Sequence, residues 1–90
     1  MGNFKINNNI DVKEFNENDI KSFHRKIGQN VQKIRQSKGL SQLELAELIG
    51  FKSTSLIAGA EAGYGKVKFS LEHLYKIATV LRVNVYDFFV

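Results

Sequence analysis

The stretch that decides the fold is Gly39-Leu40-Ser41-Gln42-Leu43-Glu44-Leu45-Ala46-Glu47-Leu48-Ile49-Gly50, residues 39–50. Ser41 and Glu44 form a capping box, in which each side chain accepts a hydrogen bond from the other residue's backbone amide. This pattern predicts a helix from Gln42 to Ile49, and Gly50 closes it because glycine readily takes the left-handed conformation. Ala46 is small enough to let a second helix cross at close range. The stretch therefore predicts a short helix that follows a tight turn and packs against a neighbour.

On the amino-terminal side of this stretch, apolar residues recur every three or four positions. They are Ile20, Phe23, Ile27, Val31 and Ile34. Such spacing places them on one stripe of a helix, which we expect to run from about residue 19 to residue 38. Asn18 or Asp19 can cap its start, and Gly39 supplies the left-handed residue that ends it.

On the carboxyl-terminal side, the sequence predicts three further helical segments and no strand. Ser53 is positioned to cap a helix over Thr54–Ala62, which is short and rich in small side chains. A glycine-rich loop over residues 63–69 follows, and Ser70 caps the next helix. A last turn or two covers Val85–Phe89. The fold class expected for residues 20–90 is therefore all-α, with five helices.

The first nineteen residues differ from the rest in composition and charge. Residues 1–19 hold six of the eight asparagines and have a net charge of −2, whereas residues 20–90 carry eleven basic and five acidic side chains. We therefore divide the chain into an amino-terminal polar arm, residues 1–19, and a helical domain, residues 20–90. Apolar residues on both sides of Asn7-Asn8-Asn9 indicate that the arm could form a short hairpin. The basic charge of the body favours nucleic acid as a partner only weakly.

Composition argues against several other functional classes. The chain of 90 residues has no cysteine, so it cannot form a thiolate metal site. Its two histidines have neither the spacing of zinc ligands nor the neighbouring residues of a catalytic triad. The expectation is a protein that is not an enzyme and binds no metal or cofactor. No apolar run is long enough to cross a bilayer, and the start lacks the layout of a secretory signal. We therefore expect no membrane association and a cytoplasmic location, at the nucleoid when the protein is bound to DNA.

Three motifs follow one another in order along residues 27–89. They are GLSQ-x-x-LA from Gly39, E-x-G from Glu61 and L-x-x-IA-x-x-L-x-V from Leu74. In these motifs the sequence resembles the helix-turn-helix family of phage repressors, Cro and the xenobiotic-response-element regulators. The resemblance implies a compact, lambda-repressor-like domain and a sequence-specific, bacterial or phage-type transcriptional regulator. It further implies a dimeric repressor that reads a palindrome in double-stranded DNA through the helix at residues 54–62.

The resemblance also implies roles for individual residues. The expected base-facing residues are Thr54, Ser55 and Gly59, with Lys52 from a turn that is one residue longer than usual. The expected phosphate contacts are Gln42, Tyr64, Lys66 and Lys68, and Arg35 with Glu61 is expected to form a partly buried ion pair. Short hydroxyls and a glycine discriminate weakly between bases, so DNA shape should contribute to specificity. The alternative for Lys52 and for the loop residues is an ordinary solvated surface.

Two questions stay open from the sequence. A homodimer could form through the apolar tail at residues 83–90 or through the arm, and the residues favour neither. The alternative function is an antitoxin-like or other protein-interaction module of the same fold, in which a protein partner is primary and DNA binding is secondary. The weak base-reading residues favour this alternative, and the lysines of the 63–69 loop favour DNA.

Overall fold

The computed structural model describes residues 14–90, and within that range it contains helices and no strand. The elements are α1 (Glu17–Ser37), α2 (Gln42–Leu48), α3 (Ser55–Ala62), α4 (Leu71–Leu81) and a 3-10 helix, η1 (Val85–Phe89). The predicted all-α architecture is confirmed, with the fifth helix in the tighter 3-10 form. The proposed hairpin of the arm falls on residues 1–13, which lie outside the described residues.

Two helix starts differ from the sequence-based expectation by one or two residues. Asn16 caps α1 in place of Asn18 or Asp19, because its side-chain oxygen accepts a hydrogen bond from the Asn18 amide at 2.7 Å. Helix α3 begins at Ser55, and the Ser53 hydroxyl accepts from the Ser55 amide at 3.3 Å, one position before the boundary residue Thr54. The capping box at the start of α2 is present as predicted.

One hydrophobic core joins all five helices. Its most deeply buried members come from all five helices and are Val31, Leu45, Ala46, Ile57, Ile77 and Phe88, each 0% exposed. The amino-terminal half of the predicted apolar stripe on α1 does not reach this core, since Ile20 and Phe23 are 43% and 56% exposed. With 21 residues, α1 is about 30 Å long and extends past the shorter helices that cover its other end.

Helix α1 touches α3 backbone to backbone. A Cβ atom built on Gly28 would lie 2.0 Å from the Ala60 carbonyl oxygen, far inside any van der Waals contact. Only glycine allows this approach, although glycine in a helix costs about 1 kcal/mol relative to alanine. On another side of α1, the buried Asn30 amide donates to the Phe88 carbonyl at 2.9 Å and anchors η1. Helix α1 is thus the element that positions α3 and the tail.

Candidate nucleic-acid interface

A buried hydrogen-bond network holds α3 in place. Arg35 Nε donates to Glu61 Oε2 and Arg35 Nη2 donates to Glu61 Oε1, both at 2.8 Å, and the two side chains are only 6% and 1% exposed. Arg35 Nη1 also donates to the Leu40 carbonyl at 2.7 Å. Gln42 Nε2 donates to Glu61 Oε1 at 3.0 Å. The network therefore joins α1, the turn after it, the start of α2 and the end of α3.

The Gln42 bond to Glu61 is a contact that the sequence does not indicate. The resemblance predicts a phosphate contact for Gln42, whose amide nitrogen carries two hydrogens, of which Glu61 takes one. The second hydrogen is left for another acceptor. Gln42 is half-buried, and its hydrogen bond to Glu61 fixes its side chain in the protein without DNA.

The exposed side of α3 is narrow. Ser55 is exposed, and Thr54 and Ala58 are half-buried. Ser55 and Ala58 are three positions apart and so share a helix face. The sequence-based set omits Ala58, which this spacing from Ser55 could have identified. Lys52, in the turn before α3, is exposed.

Gly59 does not face outward, which corrects its assignment as a base-facing position. It is buried, and a Cβ atom there would lie 2.8 Å from Val67 Cγ1. The Tyr64 amide also donates to the Gly59 carbonyl at 3.0 Å. Gly59 is therefore the place where the loop after α3 packs on the helix, and its lack of a side chain makes that packing possible.

The loop between α3 and α4 presents three of the expected phosphate contacts to solvent. Tyr64 is 71% exposed, and Lys66 and Lys68 are exposed. Within residues 14–90, neither lysine lies in a salt bridge. Val67 lies between the two lysines and packs on α3, so both charges are held beside that helix.

The start of α2 carries a negative charge that the helix itself stabilises. Glu44 Oε1 accepts from the Ser41 amide at 2.8 Å, and the Ser41 hydroxyl accepts from the Glu44 amide at 3.0 Å. The backbone hydrogen bond from Ser41, with a smaller contribution from its hydroxyl, lowers the pKa of Glu44 below its ordinary value. Glu44 is therefore ionised at neutral pH and serves the helix cap.

The requirements of a metal site and of a membrane span can also be compared with the described residues. Residues 14–90 hold no group of three His, Cys, Asp or Glu side chains that could bind a metal ion. His73 instead completes the cap of α4, where its Nδ1 accepts from the Ser70 amide at 3.0 Å. None of the helices in this range is both long and apolar enough to span a membrane.

Comparisons with known proteins agree with this geometry. Residues 31–88 match the model of the family HTH_3, helix-turn-helix. The chain is 35% identical to the restriction-modification controller protein C.AhdI from Aeromonas hydrophila, with a TM-score of 0.67 over 76% of this chain and 98% of that chain. No curated protein matches the chain.

Two further solved structures have the same arrangement of helices. The hypothetical transcription factor NHTF from Neisseria is 25% identical, with a TM-score of 0.65 over 76% of this chain and 75% of that chain. An HTH_3 family transcriptional regulator from Vibrio cholerae is 29% identical, with a TM-score of 0.65 over 77% of this chain and 37% of that chain. Since the family match covers more than half of its length, the chain belongs to HTH_3, a helix-turn-helix family of non-enzymatic, DNA-binding transcriptional regulators.

Proposed function

We propose that the chain is a sequence-specific regulator that binds a palindrome in double-stranded DNA as a homodimer, with the amino-terminal end of α3 in the major groove. The observation that carries this proposal is the network of Arg35, Glu61 and Gln42. It costs desolvation and contributes little net stability, but it sets the angle of α3. Repression at the bound site, on DNA in the cytoplasm, is the mode of action that the resemblance to phage repressors supports.

The base contacts come from the exposed start of α3. Thr54 and Ser55 supply hydroxyls that can donate to or accept from several bases, and the Ala58 methyl can contact a thymine methyl. Lys52 supplies a longer donor from the preceding turn. Because these groups discriminate weakly, sequence-dependent DNA shape and the spacing of two half-sites supply the remaining specificity.

The phosphate contacts come from Gln42 at the start of α2 and from the loop residues Tyr64, Lys66 and Lys68. A Lys66→Ala/Lys68→Ala variant should weaken binding to all DNA sequences alike. The slope of log affinity against log salt should fall by about 0.9 for each phosphate that no longer has a lysine partner. A control variant that changes the net charge equally, Lys33→Ala/Lys38→Ala, removes two exposed lysines near the carboxyl-terminal end of α1. Equal slopes for the two variants would exclude the loop lysines from the interface.

The homodimer forms, in this proposal, through the exposed face of the tail. Phe88 is fully buried, whereas Tyr86 and Phe89 are exposed and share a face because a 3-10 helix repeats every three residues. The Phe89 ring lies 6.4 Å from the ring of Phe23 on α1, which is also exposed. A Phe89→Ser variant should be monomeric by light scattering at micromolar concentration. A wild-type chain that is monomeric both alone and with DNA would contradict the dimer.

The proposal as a whole is tested with genomic DNA. Purified protein is mixed with fragmented DNA of its source at about 150 mM salt, and the bound fragments are sequenced. Sharp peaks that share a palindrome are expected, and a Thr54→Ala/Ser55→Ala variant should lose them while keeping unspecific binding. Recovery without any shared sequence would exclude specific readout.

The exposed apolar face of Phe23 and Phe89 also favours a second candidate function, an antitoxin-like module that binds a protein partner. Failure to recover any DNA, together with a stable complex between the chain and the product of a neighbouring gene, would support this candidate in place of the regulator.

A further inference from the structure

An open groove of about 800 Å³ lies between the amino-terminal half of α1 and the loop after α3. The α1 side of this α1–loop groove includes Lys21, Arg25 and Lys26, and the loop side includes Lys66 and Lys68. Ala60 of α3 and Val67 of the loop also line it. No sequence motif gives the three α1 residues a function.

The charge of the α1–loop groove is strongly one-sided. Five cationic side chains line it, against one carboxylate, that of Glu17. Within residues 14–90 the salt bridges are Arg35 with Glu61 and Lys76 with Glu72, so none of the five is neutralised there. Positive charges that line a concave surface add to one another's potential, and this positive potential attracts polyanions.

The groove begins where α3 ends. Arg25 donates a hydrogen bond from Nη1 to the Ala62 carbonyl, at the negative end of the α3 dipole. Gly63 lies directly beneath the same side chain, since a Cβ atom there would be 2.6 Å from Arg25 Nη1. Arg25 is therefore held at the carboxyl-terminal end of the helix whose amino-terminal end is proposed to enter the major groove.

We propose that the α1–loop groove binds the phosphodiester backbone of the same duplex, at the carboxyl-terminal end of α3. This inference rests on the proposed function and adds α1 to the interface. Lys21 and Arg25 are four positions apart in α1, so they lie on the same face of the helix and can contact neighbouring phosphates of one strand. An open groove that continues from α3 fits an extended polyanion better than a small enclosed anion.

The test is the salt dependence of DNA binding by a Lys21→Ala/Lys26→Ala variant of the full chain. Both lysines are exposed, so the fold should be retained, and Arg25 is kept because it bonds to α3. The slope of log affinity against log salt should fall by about 1.8 because two phosphates no longer have a lysine partner, equally on specific and unspecific DNA. The matched control Lys33→Ala/Lys38→Ala has the same net charge and should keep a slope closer to that of the wild type.

The outcomes separate this inference from the proposed function. If the wild-type chain binds DNA and the two variants have equal slopes, the α1 side of the groove is not a DNA contact, although the regulator proposal and its loop contacts stand. If the wild-type chain binds no DNA at low salt, both proposals fail.

Two further measurements identify the chemistry of the ligand. Inorganic phosphate titrated at constant ionic strength should not displace DNA from the wild-type chain, and displacement that the Lys21→Ala/Lys26→Ala variant lacks would show a free-phosphate site instead. Polyglutamate that binds the wild-type chain but not this variant, with an unchanged DNA slope, would show a site for an acidic protein and overturn the proposal.

Discussion

Replacement of Gly28 by alanine sets two effects of opposite sign against each other. Helix propensity alone predicts a gain of about 1 kcal/mol, because alanine is the better helix former. The tertiary structure predicts a loss, since the new Cβ would lie 2.0 Å from the Ala60 carbonyl oxygen and 2.9 Å from its carbonyl carbon. An ordinary contact begins at 3.4 Å, so α1 and α3 would have to separate by about 1.4 Å.

The obstacle at Gly28 is backbone, which cannot rotate away as a side chain can. Overpacking of this kind costs about 3 kcal/mol at the upper end of the usual range, which leaves a net loss of about 2 kcal/mol after the propensity gain. The separation of α1 and α3 would also stretch the 2.8 Å hydrogen bonds between Arg35 and Glu61. The free energy of unfolding should therefore fall by at least this net amount.

The assay is urea denaturation followed by circular dichroism, with Gln29→Ala as the control at the neighbouring exposed position. The Gly28→Ala midpoint should fall well below that of the wild type, while Gln29→Ala should change the free energy of unfolding by less than about 0.5 kcal/mol. A Gly28→Ala protein as stable as the wild type, or more stable, would refute the close contact between α1 and α3.

Three further predictions concern the buried pair, the loop and the α2 cap. Glu61→Ala should lower the free energy of unfolding by about 3 to 5 kcal/mol because it leaves a buried charge unpaired. Glu72→Ala, which breaks an exposed pair, should leave the midpoint of the same urea titration nearly unchanged; similar losses for the two variants would mean that Glu61 is not buried. Gly59→Ala should cost about 1 kcal/mol, and Val67→Ala in the same chain should recover most of it in a thermal double-mutant cycle, since here the obstacle is a side chain; additive losses would contradict their contact. Because the folded-state pKa of Glu44 is lowered, its ionised form stabilises the fold above its ordinary pKa, and this contribution is lost as the pH falls through the folded-state pKa. The difference in urea midpoint between the wild type and Glu44→Gln should therefore shrink from about pH 6 to about pH 3, and a constant difference would exclude the charge as its cause.

The candidate site divides between residues that the sequence indicates and residues that it does not. Arg35 and Glu61 are indicated only through the resemblance, and the structure places them in direct contact. The resemblance gives Gly59 a base-facing position, whereas Val67, eight residues later, covers it. The resemblance gives Gln42 a phosphate contact, and its bond to Glu61 joins positions nineteen residues apart. Such contacts depend on how helices pack, which no pattern within one helix reports.

The sequence by itself determined the helices, the caps of α2 and α4, and the basic charge of residues 20–90. These follow from signals that act within a few residues, such as the Ser41 and Glu44 box and the 3.6-residue spacing of Ile27, Val31 and Ile34. Only the tertiary structure decided where the helices touch one another and which side chain of α1 reaches α3. Gly28 is a poor choice within its own helix, and it is required because α3 lies against it. Arg25 is an ordinary exposed residue of α1 until the fold brings the end of α3, 37 residues later, within reach of its guanidinium.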